Sequence, residues 1–137
     1  QHGADDVVVA DSGADFSRAV RALTQDGEGV DVVIDTVGSA VFDAAFNSLA
    51  PHGRYAFVGQ LSGETIRINP ARIFFKRAQL LGVGSVSRRQ LEDTVALAAA
   101  GKLQPQVARV MGLRDLPEAH RLVEEEGLPA ALSSHHE

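Results

Sequence analysis

The stretch Gly29-Val30-Asp31-Val32-Val33-Ile34-Asp35-Thr36-Val37-Gly38 carries a nearly unbroken run of β-branched side chains, closed by an aspartate and a small-residue turn. A strand whose apolar residues do not alternate with polar ones needs cover on both faces, the condition met by a parallel sheet flanked by helices. Ser39 then stands where a helix N-cap belongs, ahead of Val41, Ala44, Ala45 and Leu49 at helical spacing. The spacing predicts strand, turn and helix in succession.

The same succession extends to both sides. Upstream, Val7, Val8 and Val9 read as a strand, followed by a helix through Phe16, Ala19, Val20 and Leu23, with Asp15 placed to cap it and Gly27 to stop it. Downstream, Pro51, His52 and Gly53 break the second helix, Tyr55 to Val58 reads as a third strand, and Gly59 to Gly63 as a glycine-bounded loop before a brief extended piece at Ile66 to Ile68. Pro70 opens a short apolar segment with Ile73, Phe74 and Phe75, and Gln79 to Val83 reads as a fourth strand ending at Gly84. Ser87 and Gln90 are spaced as a capping box, Leu91, Val95 and Ala98 line one face of the helix it opens, and Gly101 sits where a left-handed C-terminal cap is wanted. Asp115 and Glu118 repeat the box around Pro117, ahead of Ala119, Leu122 and Val123, with Gly127 as the stop. Strands alternating with helices in this way predict an α/β domain on a parallel sheet.

Composition narrows the function. The chain has 137 residues, 45% hydrophobic and 23% charged, which fits one globular core. Its 18 acidic and 13 basic side chains leave a net charge of -5, and the longest basic run is Arg88-Arg89, so the stripe that neutralises nucleic-acid phosphates is missing. Nucleic acid is not an expected partner. The absence of cysteine removes disulfides, thiolate nucleophiles and cysteine-based zinc sites, and suits a reducing cytoplasm. No apolar stretch approaches a membrane span and no secretory signal pattern opens the chain, so the expectation is a cytoplasmic protein without a membrane partner. Because the chain opens on Gln1 and its only methionine is Met111, sequence upstream of Gln1 is also expected.

Four passages in order carry a family resemblance: Gly3-Ala4-Asp5-Asp6-Val7-Val8; Gly29 to Gly38; Leu49-Ala50-Pro51-His52-Gly53-Arg54 running into Val58-Gly59-Gln60-Leu61-Ser62-Gly63; and Ala100-Gly101-Lys102-Leu103 with Pro105. Over residues 1–127 the chain resembles the nucleotide-binding domain of the medium-chain dehydrogenase/reductase superfamily, in particular its quinone oxidoreductase branch. The resemblance implies a partial Rossmann-like, doubly wound parallel sheet lacking its first two strands, with the pyrophosphate-binding glycine turn and the acidic strand end outside the chain. It implies an incomplete dinucleotide-binding domain over 1–127, with a core at 3–101 and a return segment at 102–127, and leaves 128–137 as a tail that departs from the family.

Ligands of such sheets sit beyond the carboxyl ends of the strands. The resemblance therefore nominates Thr36, Val37 and Gly38 after one strand, Val58, Gly59, Gln60 and Ser62 after the next, and Val83, Gly84 and Ser85 after the last as cofactor-binding residues. The implied cofactor is NADP, with NAD possible in its place, and the implied partner in the parent protein is a small quinone or enone-like acceptor, with homo-oligomerisation or self-association. Hydride transfer from NADPH to that acceptor is the expected reaction of the parent. No catalytic residue and no zinc are expected in this chain.

Blander readings stand beside these. Thr36 to Gly38 also suits a plain strand-to-helix turn, and Gln60 and Ser62 also suit solvated loop positions. Asp35 follows the wrong strand for a ribose-binding acid, and a structural hydrogen bond is expected of it. Gly82-x-Gly84-x-x-Ser87 imitates the dinucleotide fingerprint, but no βαβ unit with an acidic strand end follows. His2, His52 and His120 have no paired carboxylate at ligand spacing, and His135 and His136 fall in the tail. Tyr55 has no lysine four residues on, which sets short-chain dehydrogenases aside. Three alternatives remain open: a zinc-dependent alcohol dehydrogenase parent, a non-catalytic dinucleotide-binding or structural module, and a methyltransferase, whose fold would close with an antiparallel hairpin after residue 76.

Overall fold

The computed structural model describes residues 3–11, 13–105 and 107–126, and the chain divides into two compact units, Gln1–Ser85 and Val86–Glu137. In the first unit, β1 (Val30–Asp35), β2 (Leu49–Phe57) and β3 (Gln79–Gly82) form one sheet in that order, and both pairings are parallel. Helix α1 (Ser17–Ala22) precedes β1, α2 (Phe42–Ser48) connects β1 to β2, and α3 (Pro70–Lys76) connects β2 to β3. Parallel neighbours require such crossovers, so the α/β parallel fold read from the apolar strand and its following helix is the fold observed. A parallel sheet with helical crossovers is Rossmann-like, and among the described residues it has these three strands.

An aromatic cluster forms the core. Phe42 and Phe46 of α2 meet Tyr55 and Phe57 of β2, with Phe42–Tyr55 and Tyr55–Phe57 ring centroids 5.4 and 4.7 Å apart. Ala45 and Leu49 complete the buried cluster, and Phe16, Val33, Ile66, Ile68, Ile73 and Ala78 pack against it. Burial of each large ring contributes on the order of 2–3 kcal/mol. Because side chains alternate along a strand, Val32 and Ile34 of β1 and Leu81 of β3 fall on the opposite face, where Ile34 is 70% exposed.

Several local expectations are corrected. Val7, Val8 and Val9 form no strand, and Val9 is exposed. Among the described residues the only sheet neighbour of β1 is β2, and an extended run with no hydrogen-bonding neighbour has nothing to make it a strand. Ser39 does not cap α2: the N-cap position is Val41 and has no side-chain cap, while the Ser39 hydroxyl is engaged elsewhere. Pro51-His52-Gly53 lies inside β2, where the register moves from Val30↔Leu49 to Val32↔Arg54. A bulge of this kind tolerates a proline that cannot donate to the ladder. Residues Ile66 to Ile68 are not a strand, although both isoleucines pack on the core.

Asp15 does not cap α1 either: the N-cap position is Phe16, without a side-chain cap, the Asp15 carboxylate accepts from the Ser17 amide at 2.9 Å one residue earlier, and the helix ends at Ala22, short of Gly27. Other signals are realised, and Asn69, not anticipated as a cap, accepts from Ala71 N at 2.9 Å ahead of Pro70. In the second unit, α4 (Arg88–Ala99) opens on a complete capping box: Gln90 N donates to Ser87 Oγ at 3.2 Å and Ser87 N donates to Gln90 Oε1 at 2.8 Å. Gly101 ends the helix at φ +70°. Helix α5 (Leu116–Glu126) begins directly after Asp115, but both Glu118 oxygens accept from Arg121, and the second box is not made. A bidentate, charge-assisted pair outcompetes a single backbone amide. Ala119 and Leu122 of α5 are buried, as their spacing predicted. Gly127 and the 128–137 tail lie outside the described residues. No helix among the described residues is long and apolar enough to cross a membrane.

Candidate cofactor site at the strand ends

The three strands end level, since Asp35 is in register with Phe57 and Phe57 with Gly82. The loops that follow therefore leave one edge of the sheet together. Backbone bonds carry the ladder a step further: Val58 N donates to Asp35 O at 2.8 Å, Gly59 N to the same oxygen at 3.2 Å, and Val83 N to Phe57 O at 2.9 Å.

Asp35 anchors the first loop from beneath. It is 4% exposed, and its Oδ1 accepts from the amides of Val37 and Gly38 at 2.8 and 2.9 Å, turning the chain out of β1. Its Oδ2 accepts from the Tyr55 hydroxyl at 2.7 Å. All three donors point at one carboxylate, which is how a buried anion is made tolerable. The structural role expected of Asp35 is the role it has. Burial, and then the bond to Asp35, push the Tyr55 phenol far above its ordinary value of 10.0, so it stays a neutral donor.

A second set of bonds joins the first loop to the loop after β2. Leu61 N donates to Val37 O at 2.9 Å, Ser39 N donates to Gln60 Oε1 at 3.0 Å, and the Ser39 and Ser62 hydroxyls are 2.8 Å apart. Gln60 Nε2 donates in turn to Glu64 O at 2.8 Å. Two glycines permit this approach. A Cβ on Gly38, which has φ +92°, would lie 2.1 Å from Gln60 Oε1, and one on Gly59 would lie 2.4 Å from Thr36 O. The bareness of both glycines thus serves loop against loop.

Of the nominated residues, Thr36, Val58, Gln60, Ser62, Val83, Gly84 and Ser85 are exposed at this edge, Val37 and Gly59 are half-buried, and Gly38 is buried. The first two loops are brought into contact, and the third joins through Val83 N. Ser39 and Tyr55 were missed. Ser39 was read as a cap, and the only sequence signal for Tyr55 is that it shares a strand face with Phe57.

Val58 and Val83 present exposed apolar surface, and nothing lies within 4 Å of a Cβ built on Gly84, so a planar group can approach the backbone there. Zinc is not matched in the same way: among the described residues no group of three histidine, cysteine or acidic side chains could hold a metal ion. His52 and His120 are exposed, and His2, His135 and His136 lie outside the described residues.

Basic side chains gather at the opposite end of the sheet, where α1, α2 and α3 finish. Arg21 donates to Asn47 O at 3.4 Å and Lys76 to Leu49 O, while Arg72 meets Asp43 and Asn47 at 2.8 and 2.9 Å. Arg21 and Lys76 thus satisfy carbonyls at the C-terminal end of α2, while Arg72 bonds the side chains of Asp43 and Asn47, and all three uses are structural. Burial, with Arg21 and Arg72 nearby, lowers the pKa of Lys76.

Among the described residues no antiparallel pair closes the sheet: after residue 76 come the parallel β3 and then α4, against the methyltransferase alternative. The sequence model of the zinc-binding dehydrogenase family matches residues 2–128. Acryloyl-coenzyme A reductase of Sulfurisphaera tokodaii is 29% identical over 123 residues, 89% of this chain and 35% of that protein. Quinone oxidoreductase-like protein 2 of Bos taurus is 33% identical over 125 residues, 80% of this chain and likewise 35% of the relative. The crystal structure of AibC superposes with a TM-score of 0.84 at 33% identity, over 98% of this chain and 37% of that one. The chain thus spans about a third of the length of the proteins it matches. With a family match along nearly its whole length and a sheet that superposes to the same extent, the chain belongs to the zinc-binding dehydrogenase family of the medium-chain dehydrogenase/reductase superfamily.

Proposed function

We propose that this chain supplies the nicotinamide-facing half of a dinucleotide site in an NADPH-dependent reductase of quinones or electron-poor alkenes. The observation that carries the reading is the level ending of three parallel strands, which gathers Thr36, Val37 and Gly38, Val58, Gly59, Gln60 and Ser62, and Val83, Gly84 and Ser85 at one edge. The bound cofactor would supply the hydride. The chain's part is to orient: the valines offer an apolar wall to the ring, and loop backbone offers fixed dipoles beside it. An acceptor with a polarised double bond agrees with what two relatives are called, an acryloyl-coenzyme A reductase and a quinone oxidoreductase-like protein. NADPH is preferred over NADH on family resemblance, the strand end that reads the ribose 2′ position being outside the chain. We assign residues 1–127 to this domain.

NADPH titrated into the isotopically labelled chain is expected to shift amides of residues 36–38, 58–62 and 83–85, with an affinity weaker than about micromolar because the pyrophosphate-gripping turn is not part of it. Shifts confined to other residues would sink the site. Micromolar or tighter binding would show that the missing turn is unnecessary. A second reading, a zinc-dependent alcohol dehydrogenase, has the family's name in its favour. One tightly held zinc per protein molecule, found on metal analysis of the whole protein, would select it.

A further inference from the structure

Gln60 and Ser62 stand among the residues nominated to touch the cofactor, yet the bonds of Gln60 point back into the protein. We propose that Gln60 is a positioning residue rather than a ligand: its carboxamide clasps the loop after β1 to the loop after β2, and so presents Thr36 to Gly38 in one conformation. The proposal rests on the reading of this edge as a dinucleotide site.

Hydrogen-bonding capacity carries the first step. A carboxamide oxygen has two lone pairs, and Gln60 Oε1 accepts from both Ser39 N at 3.0 Å and Ser39 Oγ at 3.2 Å. One Nε2 hydrogen goes to Glu64 O at 2.8 Å. The oxygen is fully engaged and the nitrogen half so, which leaves a ligand a single N–H. Space carries the second step. The carboxamide occupies the volume that a Cβ on Gly38 would fill, 2.1 Å from Oε1, so the two positions are matched and any larger residue at 38 would eject the side chain.

Topology carries the third. Asp35 holds the first loop only at its root, through the amides of Val37 and Gly38. From the second loop, Leu61 N also reaches Val37 O, but beyond Gly38 the links are the contacts of Ser39 with Gln60 and Ser62. Removing the carboxamide frees the Ser39 amide and lets the outer part of the loop sample open forms. A ligand that binds only the closed form then binds more weakly in proportion to the closed fraction.

The test is Gln60→Ala in the whole chain, read by amide hydrogen exchange and by NADPH titration followed through amide shifts. The side chain is exposed, so the fold is expected to survive. Exchange at the Ser39 amide should quicken about tenfold and NADPH binding should weaken about fivefold, the scale of one net hydrogen bond. Gln60→Glu, which keeps the acceptor for Ser39 but loses the donor to Glu64, should retain protection at Ser39. Unchanged exchange in Gln60→Ala overturns the clasp. Faster exchange with unaltered NADPH affinity overturns the positioning role and leaves Gln60 as a loop brace only. Absence of any NADPH shift in the unmutated chain removes the functional reading instead, and the exchange arm still decides whether the clasp exists.

Discussion

Asp35 shows how much one side chain can settle. Its two oxygens turn the chain out of β1 and tie that turn to Tyr55, twenty residues on. Asp35→Ala leaves two amides and a phenol without their acceptor in a buried place, and is expected to cost about 3 kcal/mol in urea denaturation. The Tyr55 partner gives a pH signature. Its folded pKa lies above the unfolded 10.0, so the stabilisation is complete below pH 10.0 and is lost as pH rises past that value, where the unfolded chain releases the proton and the folded chain keeps it. Melting temperatures between about pH 9 and pH 11 should fall more steeply for the unmutated protein than for Tyr55→Phe. The lowered Lys76 pKa works in the opposite direction but is common to both proteins, and so drops out of the comparison. Neither role was fully legible beforehand. A structural bond for Asp35 followed from its place at a strand end, but its partner did not, because residues 35 and 55 meet only through strand register.

At the scale of elements, what was legible was whatever local chemistry decides. The capping box of α4 and the apolar run of β1 are determined within a few residues and stand as read, and a helix follows β1 as expected, though shorter and without Ser39 as its cap. What failed depended on distant partners. Val7 to Val9 has strand residues but no neighbour, Ser39 exchanges a cap for a bond to a loop twenty-one residues away, and Pro51 to Gly53 joins a strand as a bulge because β1 offers it a ladder. The loop edge itself was readable as a place, since strand ends collect loops, but its internal clasp was not. Gly59→Ala probes that contact directly. Its new methyl would press on Thr36 O at 2.4 Å with backbone on both sides, and about 2 kcal/mol of destabilisation is expected from chemical denaturation, together with faster amide exchange at Leu61. A stability unchanged within error would mean that the two loops separate freely.

For the chain as a whole, the decisive feature is that β1 lies at the edge of the sheet among the described residues, with its Val32 and Ile34 exposed. An apolar strand with unpaired backbone groups recruits another strand. We expect this chain to self-associate, with a melting temperature that rises with protein concentration, and Ile34→Lys to reduce the association in sedimentation equilibrium. A sharp, concentration-independent transition of a monomer would contradict this.

The chain has one tyrosine, no tryptophan and six phenylalanines, so Tyr55 alone supplies the absorption at wavelengths longer than the phenylalanine band. That single phenol is wholly buried, hydrogen-bonded to the carboxylate that turns the first loop, and packed at a tilt against the rings of the aromatic cluster. The protein therefore carries its own optical probe at the junction of core and cofactor edge. A carboxylate that accepts from a phenol quenches its emission by drawing off the proton in the excited state, so any event that loosens Asp35 brightens the molecule without a label having been added.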